Sequence, residues 1–286
     1  MQIQSLSIAV PAGCCNECGF CVSRMHEPEY VNQIEGNTRF FDLYERDYVN
    51  RLAFARDNGC NSAILTGDGE PLLNRSFLKF FTNCNRSLAM PFRQVELQTC
   101  GGPLDEECLR FLRNTVGVSV ISFSISSLDN NVNRLHTKPK DKKWEVDIYA
   151  LCRSIVKYDF TLRLSINLTD YFSDCDVPYI FTAAREHGAR QIIFRVLYES
   201  GGNHPQDIWV RERRCGDKKV AEIRSYIKEN GRPLRRLPFG AVAYSVGGLS
   251  VVLDEDCMQG EVTENLKYLI LRPDCKLYSH WNDKGV

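Results

Sequence analysis

Four cysteines lie close together in the segment Gly13-Cys14-Cys15-Asn16-Glu17-Cys18-Gly19-Phe20-Cys21. Two ligand spacings can be taken from it. Cys14, Cys18 and Cys21 give C-x3-C-x2-C, and Cys15, Cys18 and Cys21 give C-x2-C-x2-C. This density of thiols in one short loop indicates a metal site. Three thiolates can hold an iron–sulfur cluster and leave one metal position open for a substrate or cofactor.

Two other kinds of metal site fit the segment less well. A structural zinc site needs four closed ligands, often as two separate C-x2-C pairs, and no further C-x2-C occurs in the chain. A ferredoxin-type run needs a cysteine followed by proline, and none follows Cys21. A non-catalytic zinc or iron–sulfur module, held by Cys14 or Cys15 with Cys18, Cys21 and a distant ligand, stays an alternative.

The composition is that of a folded globular protein. The 286 residues are 43% hydrophobic and 25% charged, with 36 basic and 36 acidic side chains. Zero net charge gives no general attraction to nucleic acid, which we do not expect as a partner, or to an anionic membrane. No apolar run reaches the roughly 18 residues of a membrane helix. The count of 13 cysteines is odd. With no export signal at residues 1–10, we expect mostly free thiols and a cytoplasmic location.

Strands and helices alternate along the first two thirds of the chain. The apolar patterns predict strands at 1–10, 61–65, 94–99, 118–124, 161–168 and 191–197. They predict helices at 42–58, 75–89, 105–114, 144–158 and 178–187. This alternation indicates an α/β fold with a parallel sheet and crossover helices, either as an open doubly wound sheet or as a barrel.

The pattern changes after residue 198. A polar, arginine-rich lid or linker with a last helix at 220–229 is predicted for residues 199–231. Short strands at 241–246, 249–253, 266–271 and 276–280 follow. We therefore divide the chain into a core at 1–198, the lid segment at 199–231, and a small β-rich C-terminal extension at 232–286 that packs on the core.

A second motif, Gly67-Asp68-Gly69-Glu70-Pro71, follows the second predicted strand. Glycines let a backbone approach a ligand closely, Glu70 offers a carboxylate to an ammonium group, and Pro71 stiffens the exit of the loop. An ordinary turn is the alternative. Polar residues also occur on or after later strands, and they are further candidate ligands: Thr99, Ser124, Ser126, Asn167 and Arg195.

Together the two motifs resemble the signature of the radical SAM superfamily. The C-x3-C-x2-C spacing follows a first strand and has an aromatic residue, Phe20, before the last cysteine. A Gly-Gly-Glu-Pro-like motif follows the second strand, although Asp68 stands in place of its first glycine. The resemblance implies a partial (β/α)6 TIM-type barrel. The pattern is closest to the molybdopterin-synthesis and peptide-modifying branch, but Cys257 and Cys275 are too few for an auxiliary cluster, so one cluster is expected.

The resemblance also implies a function. Cys14, Cys18 and Cys21 would hold a [4Fe–4S] cluster, and the loop at 67–71 would receive the amino group of S-adenosylmethionine. Reductive cleavage of this cofactor would give a 5′-deoxyadenosyl radical for hydrogen abstraction. An oxygen-sensitive enzyme with an external one-electron donor such as flavodoxin or ferredoxin is expected. The substrate could be a small molecule, a nucleotide or a peptide, and a protein-radical activase is a further alternative. The remaining polar candidates would contact the cofactor, Ser124 or Ser126 at its ribose.

Overall fold

The computed structural model describes residues 2–25, 41–236, 242–254, 265–279 and 285. Cys257 lies outside these described residues, as do the first residue of the predicted strand at 241–246 and the last residue of the strand at 276–280.

In this part of the chain, eleven strands form one sheet. They are β1 Gln2–Ala9, β2 Ser62–Thr66, β3 Gln94–Thr99, β4 Val120–Ile125, β5 Thr161–Asn167, β6 Gln191–Arg195, β7 Gly231–Arg236, β8 Val242–Val246, β9 Leu249–Asp254, β10 Asn265–Leu271 and β11 Leu277–Tyr278. Their order is β11-β10-β1-β2-β3-β4-β5-β6-β9-β8-β7, and β1 to β6 are parallel neighbours. The prediction of a partial barrel built from six strand–helix units is confirmed, and the sheet stays open.

The helices are α1 Val22–Met25, α2 Glu45–Asp57, α3 Arg75–Ser87, α4 Glu106–Phe111, α5 Asn130–Thr137, α6 Ile148–Lys157, α7 Val177–Glu186, α8 Pro205–Arg213 and α9 Asp217–Asn230. Helices α1 to α7 lie in the connections between the parallel strands β1 to β6, and α8 and α9 lie between β6 and β7. Short 3₁₀ turns occur at Phe41–Tyr44, Pro71–Leu73, Lys142–Trp144 and Asp170–Ser173, and a π-helical turn at Leu112–Val116 follows α4.

Some predicted helix ends differ from the structure because a capping side chain sets them. The helix predicted from residue 144 begins at Ile148, since the Asp147 carboxylate accepts a 2.8 Å hydrogen bond from the Ala150 amide. This is the usual action of an N-cap aspartate.

The sequence patterns missed three helices, of which α1 is a single turn of four residues. α5 consists largely of asparagine, histidine and threonine, which have low intrinsic helix propensity. α8 falls inside the segment predicted as a lid or linker, because it buries only Asp207 and Val210 and so shows no apolar stripe. Its start was nevertheless marked, since Pro205 occupies the first turn of the helix.

The C-terminal strands extend the main sheet at both sides. β10 pairs in parallel with β1, with Ile8 opposite Leu271, and β9 pairs in parallel with β6, with Ile193 opposite Val252. Both inner strands would otherwise present unpaired backbone groups at an edge. The predicted extension therefore contributes strands to the core sheet, and the division of the chain at 198 and 231 stays a prediction.

The two faces of the sheet differ in polarity. Buried apolar side chains such as Ile121 and Leu164 pack under the helices in one large core. Strand side chains alternate between faces, so the opposite face carries polar residues such as Arg163 and Ser165. No helix in the described ranges is long and apolar enough to cross a membrane.

Candidate functional site

The two sequence motifs lie in direct contact at the carboxyl ends of β1 and β2. The Glu70 amide donates a 2.9 Å hydrogen bond to the Gly13 carbonyl, and the Val10 amide donates one of 2.7 Å to Thr66. A Cβ atom on Gly69 would collide with the carbonyl oxygens of Ala12 and Gly13. The glycine thus allows the 67–71 loop to pack against the backbone that leads into the cysteines.

Glu70 is the buried centre of this contact, with 2% of its surface exposed. Its Oε1 accepts hydrogen bonds from the Leu72 amide at 3.2 Å and the Thr99 hydroxyl at 2.8 Å. Its Oε2 accepts one from the Cys100 amide at 2.8 Å. Burial raises the pKa of this carboxyl. The structure therefore brings predicted residues Glu70 and Thr99 together, and the role of Glu70 as acceptor for an ammonium group stays a prediction.

Asp68, at which the motif departs from the pattern it resembles, is also enclosed. Burial raises the pKa of its carboxyl, while the positive charge of Arg272 and a hydrogen bond with Ser23 oppose this rise. Ser23 follows the last cysteine of the loop, and Arg272 follows β10. The aspartate thus places a negative charge between the cysteine loop and the C-terminal part of the sheet.

The adjacent cysteines Cys14 and Cys15 have different surroundings. The Cys15 sulfur lies 3.3 Å from that of Cys100. Burial raises the pKa values of Cys18 and Cys21, and the neighbouring Cys14 thiol raises both further. The Cys14 thiol thus interacts with Cys18 and Cys21 and is also hydrogen-bonded to the adjacent Cys15, which in addition contacts Cys100 of another loop.

Cys14, Cys18 and Cys21 are all partly exposed thiols on one loop. Their sulfur atoms do not all lie within 4.8 Å of one another, a spacing that Cys15, Glu70 and Cys100 do meet. A donor set of three accessible thiols fits an iron–sulfur cluster with one open iron position. Cys275, also considered in the sequence, is buried and belongs to the apolar core, as does Cys215.

Residues of α5 and α8 hold the cysteine loop. The Gly19 amide donates a 3.1 Å hydrogen bond to the His136 carbonyl of α5. The indole ring of Trp209 on α8 packs against Phe20 and His136, with ring centroids 5.7 and 5.4 Å away. No sequence pattern pointed to Trp209. The pattern His204-Pro205 at the start of α8 was the available signal.

His136 also connects this packing to charged groups. Its Nε2 lies 3.4 Å from the Asp170 carboxylate, which the Arg213 guanidinium contacts at 3.0 Å. Its Nδ1 lies 3.4 Å from the Ser126 carbonyl oxygen. Burial lowers the pKa of the imidazole.

The remaining predicted residues lie on the polar face of the sheet or at its edge. The Asn167 amide donates to the Ser124 hydroxyl at 3.0 Å and the Ser126 hydroxyl at 3.4 Å. Arg195 donates to Ser165 at 2.8 Å and lies 3.6 Å from the Asp254 carboxylate. The three residues 124, 126 and 167 thus form one cluster. Arg195 is held in a separate ion pair.

Comparisons with known proteins identify the family of the chain and solved structures that share its fold. A family model described as the radical SAM superfamily matches residues 8–167. None of the curated proteins compared matches the sequence significantly.

Several solved structures share the fold. SuiB from Streptococcus suis, bound to the precursor peptide SuiA, is 12% identical with a TM-score of 0.59, over 100% of this chain and 62% of that one. The protein anSMEcpe, with bound AdoMet and Cp18Cys peptide, is 16% identical with a TM-score of 0.53, over 80% and 59%. The radical SAM enzyme coproporphyrinogen III oxidase (HemN) from Escherichia coli is 13% identical with a TM-score of 0.53, over 81% and 54%. This chain therefore spans less than two thirds of the length of these proteins.

Proposed function

Since the chain is an enzyme of the radical SAM superfamily, we propose that it cleaves S-adenosylmethionine reductively and abstracts a hydrogen atom from a peptide. The observation that carries the proposal is the contact between the cysteine loop and the 67–71 loop, closed by the hydrogen bond from Glu70 to Gly13. This contact places the thiols that would hold a cluster beside the backbone that would bind the cofactor.

Cys14, Cys18 and Cys21 are the proposed ligands of a [4Fe–4S] cluster. When bound, the cluster supplies one electron to the sulfonium of S-adenosylmethionine, which gives methionine and a 5′-deoxyadenosyl radical. Residues of α5 and α8 hold the cysteine loop in place. The Gly19 amide donates a hydrogen bond to the His136 carbonyl, and Trp209 packs against Phe20. An external one-electron donor such as flavodoxin or ferredoxin is part of the proposal.

The backbone of residues 67–69, with Pro71 at the exit and Glu70 beneath, would bind the methionyl amino group. Glu70 also binds the Thr99–Cys100 segment through two of its three hydrogen bonds, which joins the two loops. A buried carboxylate held by three hydrogen bonds is a rigid support for a ligand.

The cluster of Ser124, Ser126 and Asn167 would face the ribose. Two hydroxyl groups and a side-chain amide, already joined by hydrogen bonds, offer both donors and acceptors to a diol. Arg195, restrained by Ser165 and Asp254, would approach the carboxylate end of the cofactor. These assignments rest on the positions of the residues at the carboxyl ends of parallel strands, where ligands of such sheets bind.

A peptide is the proposed substrate class. Two of the structural neighbours, SuiB and anSMEcpe, are bound to peptides. The zero net charge of this chain also gives no general attraction to a polyanion such as nucleic acid.

Cleavage of S-adenosylmethionine is tested under anaerobic conditions. The protein is reconstituted with iron and sulfide, reduced with dithionite and given S-adenosylmethionine, and 5′-deoxyadenosine is measured beside a Cys18→Ala control. We expect product from the wild type alone. Zinc with no visible absorbance in place of an iron–sulfur chromophore would contradict the proposal and favour the non-catalytic module.

The substrate class is tested with a low-molecular-mass extract of the source cells. We expect the extract to increase 5′-deoxyadenosine formation, and pretreatment with a broad peptidase to abolish the increase. An increase that survives the peptidase but not a nucleosidase or phosphatase would point to a nucleotide.

A further inference from the structure

We propose that Cys15, Cys100 and Glu70 form a second metal site, which binds one zinc ion separately from the cluster cysteines. The inference goes beyond the proposed function, since it assigns a role to the cysteine of the doublet that the cluster does not use.

The spacing of the ligand atoms is close to that of a zinc site. The sulfur atoms of Cys15 and Cys100 are 3.3 Å apart, and both lie within 4.8 Å of a Glu70 carboxylate oxygen. Thiolates bound to zinc at ~2.3 Å in tetrahedral geometry are about 3.8 Å apart. A displacement of about half an ångström therefore makes this pair a zinc-binding pair.

Hydrogen bonds hold the two cysteines in place. Cys15 is 3% exposed, and its carbonyl accepts a 2.9 Å hydrogen bond from the Lys140 amide. The Cys100 amide is bound to Glu70, so the backbones that carry these ligands are fixed before a metal arrives. Preformed ligands lose little conformational freedom on binding.

The negative charge of the Glu70 carboxylate also favours a metal ion at this site. In the described part of the chain Glu70 is in no ion pair with a lysine, arginine or histidine, although its carboxylate is enclosed. A buried carboxylate normally has a cationic partner or a metal. Binding of Zn²⁺ with release of the two thiol protons keeps the net charge of the site at −1 and gives the buried carboxylate a cationic partner.

A fourth coordination position is available. Asn16 is 5% exposed, and its Oδ1 has no hydrogen-bond partner. Asn16 and Cys100 line the same cavity of about 240 Å³. The amide oxygen, or a water molecule from this cavity, would complete a tetrahedron of two sulfur and two oxygen atoms, which is a zinc geometry. Because the same Glu70 carboxylate would serve both ligands, zinc should also weaken binding of the methionyl amine.

The experiment uses the cluster-loaded protein, kept anaerobic so that Cys14, Cys18 and Cys21 are occupied. The protein is incubated with zinc chloride, excess metal is removed with a weak chelator, and zinc and iron are counted per chain. We expect one zinc in the wild type. The Cys15→Ser and Cys100→Ser variants should lose the zinc and keep the iron, whereas Cys175→Ser, at a partly exposed cysteine elsewhere, should keep both.

X-ray absorption at the zinc edge of the wild type tests the ligands without any variant. Two sulfur neighbours with oxygen or nitrogen at the remaining positions support the site. Three or four sulfur neighbours place the zinc in the cluster cysteines and overturn the inference, as does a wild type that retains no zinc. A Cys15–Cys100 disulfide in the anaerobic protein also overturns it. Neither measurement needs S-adenosylmethionine, so the result does not depend on cleavage of the cofactor or on the substrate, and the iron count shows separately whether the cluster is present.

Discussion

The indole ring of Trp209 lies so close to Gly19 that a Cβ atom on this glycine would sit 2.5 Å from Cε2 of the ring. Gly19→Ala should therefore push α8 away from the cysteine loop or deform the loop. Overpacking of this kind costs about 1–3 kcal/mol. We expect a lower melting temperature and fewer iron atoms per chain after reconstitution, measured by calorimetry and metal analysis.

Gly13→Ala is the matched control, because an added Cβ there meets nothing within 4 Å although the residue precedes Cys14. It should reconstitute like the wild type. The double variant Gly19→Ala/Trp209→Ala should regain iron relative to Gly19→Ala, since the clash is removed. Equal iron in both single glycine variants would show that Trp209 does not constrain the loop.

Glu70→Gln should destabilise the protein although the change is nearly isosteric. In either orientation the new NH₂ group faces a donor, the Leu72 amide on one side or the Cys100 amide on the other. A buried donor without an acceptor costs about 1–3 kcal/mol. Urea unfolding should show this loss, whereas Glu107→Gln, at an exposed ion pair with Arg75, should change stability by less than about 0.5 kcal/mol. An unchanged midpoint for Glu70→Gln would mean that its hydrogen bonds contribute little.

The pair of Glu96 and Arg163 on the polar face of the sheet should show strong coupling. The two side chains are in contact, and Glu96 is 4% exposed. Arg163→Met leaves a buried carboxylate without its cation, a change that costs about 3–5 kcal/mol. The double variant Glu96→Leu/Arg163→Met should recover most of this loss in urea unfolding. A double variant destabilised by the sum of the two single variants would show that the residues act independently.

The sequence predicted what depends on local pattern. Apolar alternation located the parallel strands, and β3 begins and ends as expected at Gln94 and Thr99. The contact between the cysteine loop and the 67–71 loop is explained by the pairing of β1 with β2 in the structure, since the ends of neighbouring parallel strands meet at one edge of a sheet.

What the sequence left open depends on pairing between distant segments. β10 joins β1 across most of the chain, and no local pattern specifies that register. The proximity of Cys15 to Cys100 arises from the stacking of two loops 85 residues apart. Trp209 was missed because α8 buries a small part of its surface and therefore has no helical apolar stripe.

His136 should make stability depend on pH. Burial lowers the pKa of its imidazole below the ordinary value of 6.5. The unfolded chain therefore binds a proton more readily, so stability is lost as pH falls through the ordinary value toward the folded pKa. Between about pH 7.5 and pH 5.5 the wild-type melting temperature should fall more than that of His136→Gln. His187→Gln keeps His136 and should follow the wild type, and a His136→Gln variant with the full wild-type fall would assign the effect to other groups.

The adjacent cysteines Cys14 and Cys15 have different neighbours, so their substitution should have different effects. Cys14 acts electrostatically on Cys18 and Cys21, whereas Cys15 is 3.3 Å from Cys100. Cys14→Ser should therefore reduce reconstituted iron and 5′-deoxyadenosine to the level of Cys18→Ala. Cys15→Ser should keep the cluster absorbance and the iron content, since the C-x3-C-x2-C ligands remain. The opposite result, with iron lost from Cys15→Ser and kept by Cys14→Ser, would assign the cluster to the C-x2-C-x2-C spacing and would leave Cys100 without its thiol partner.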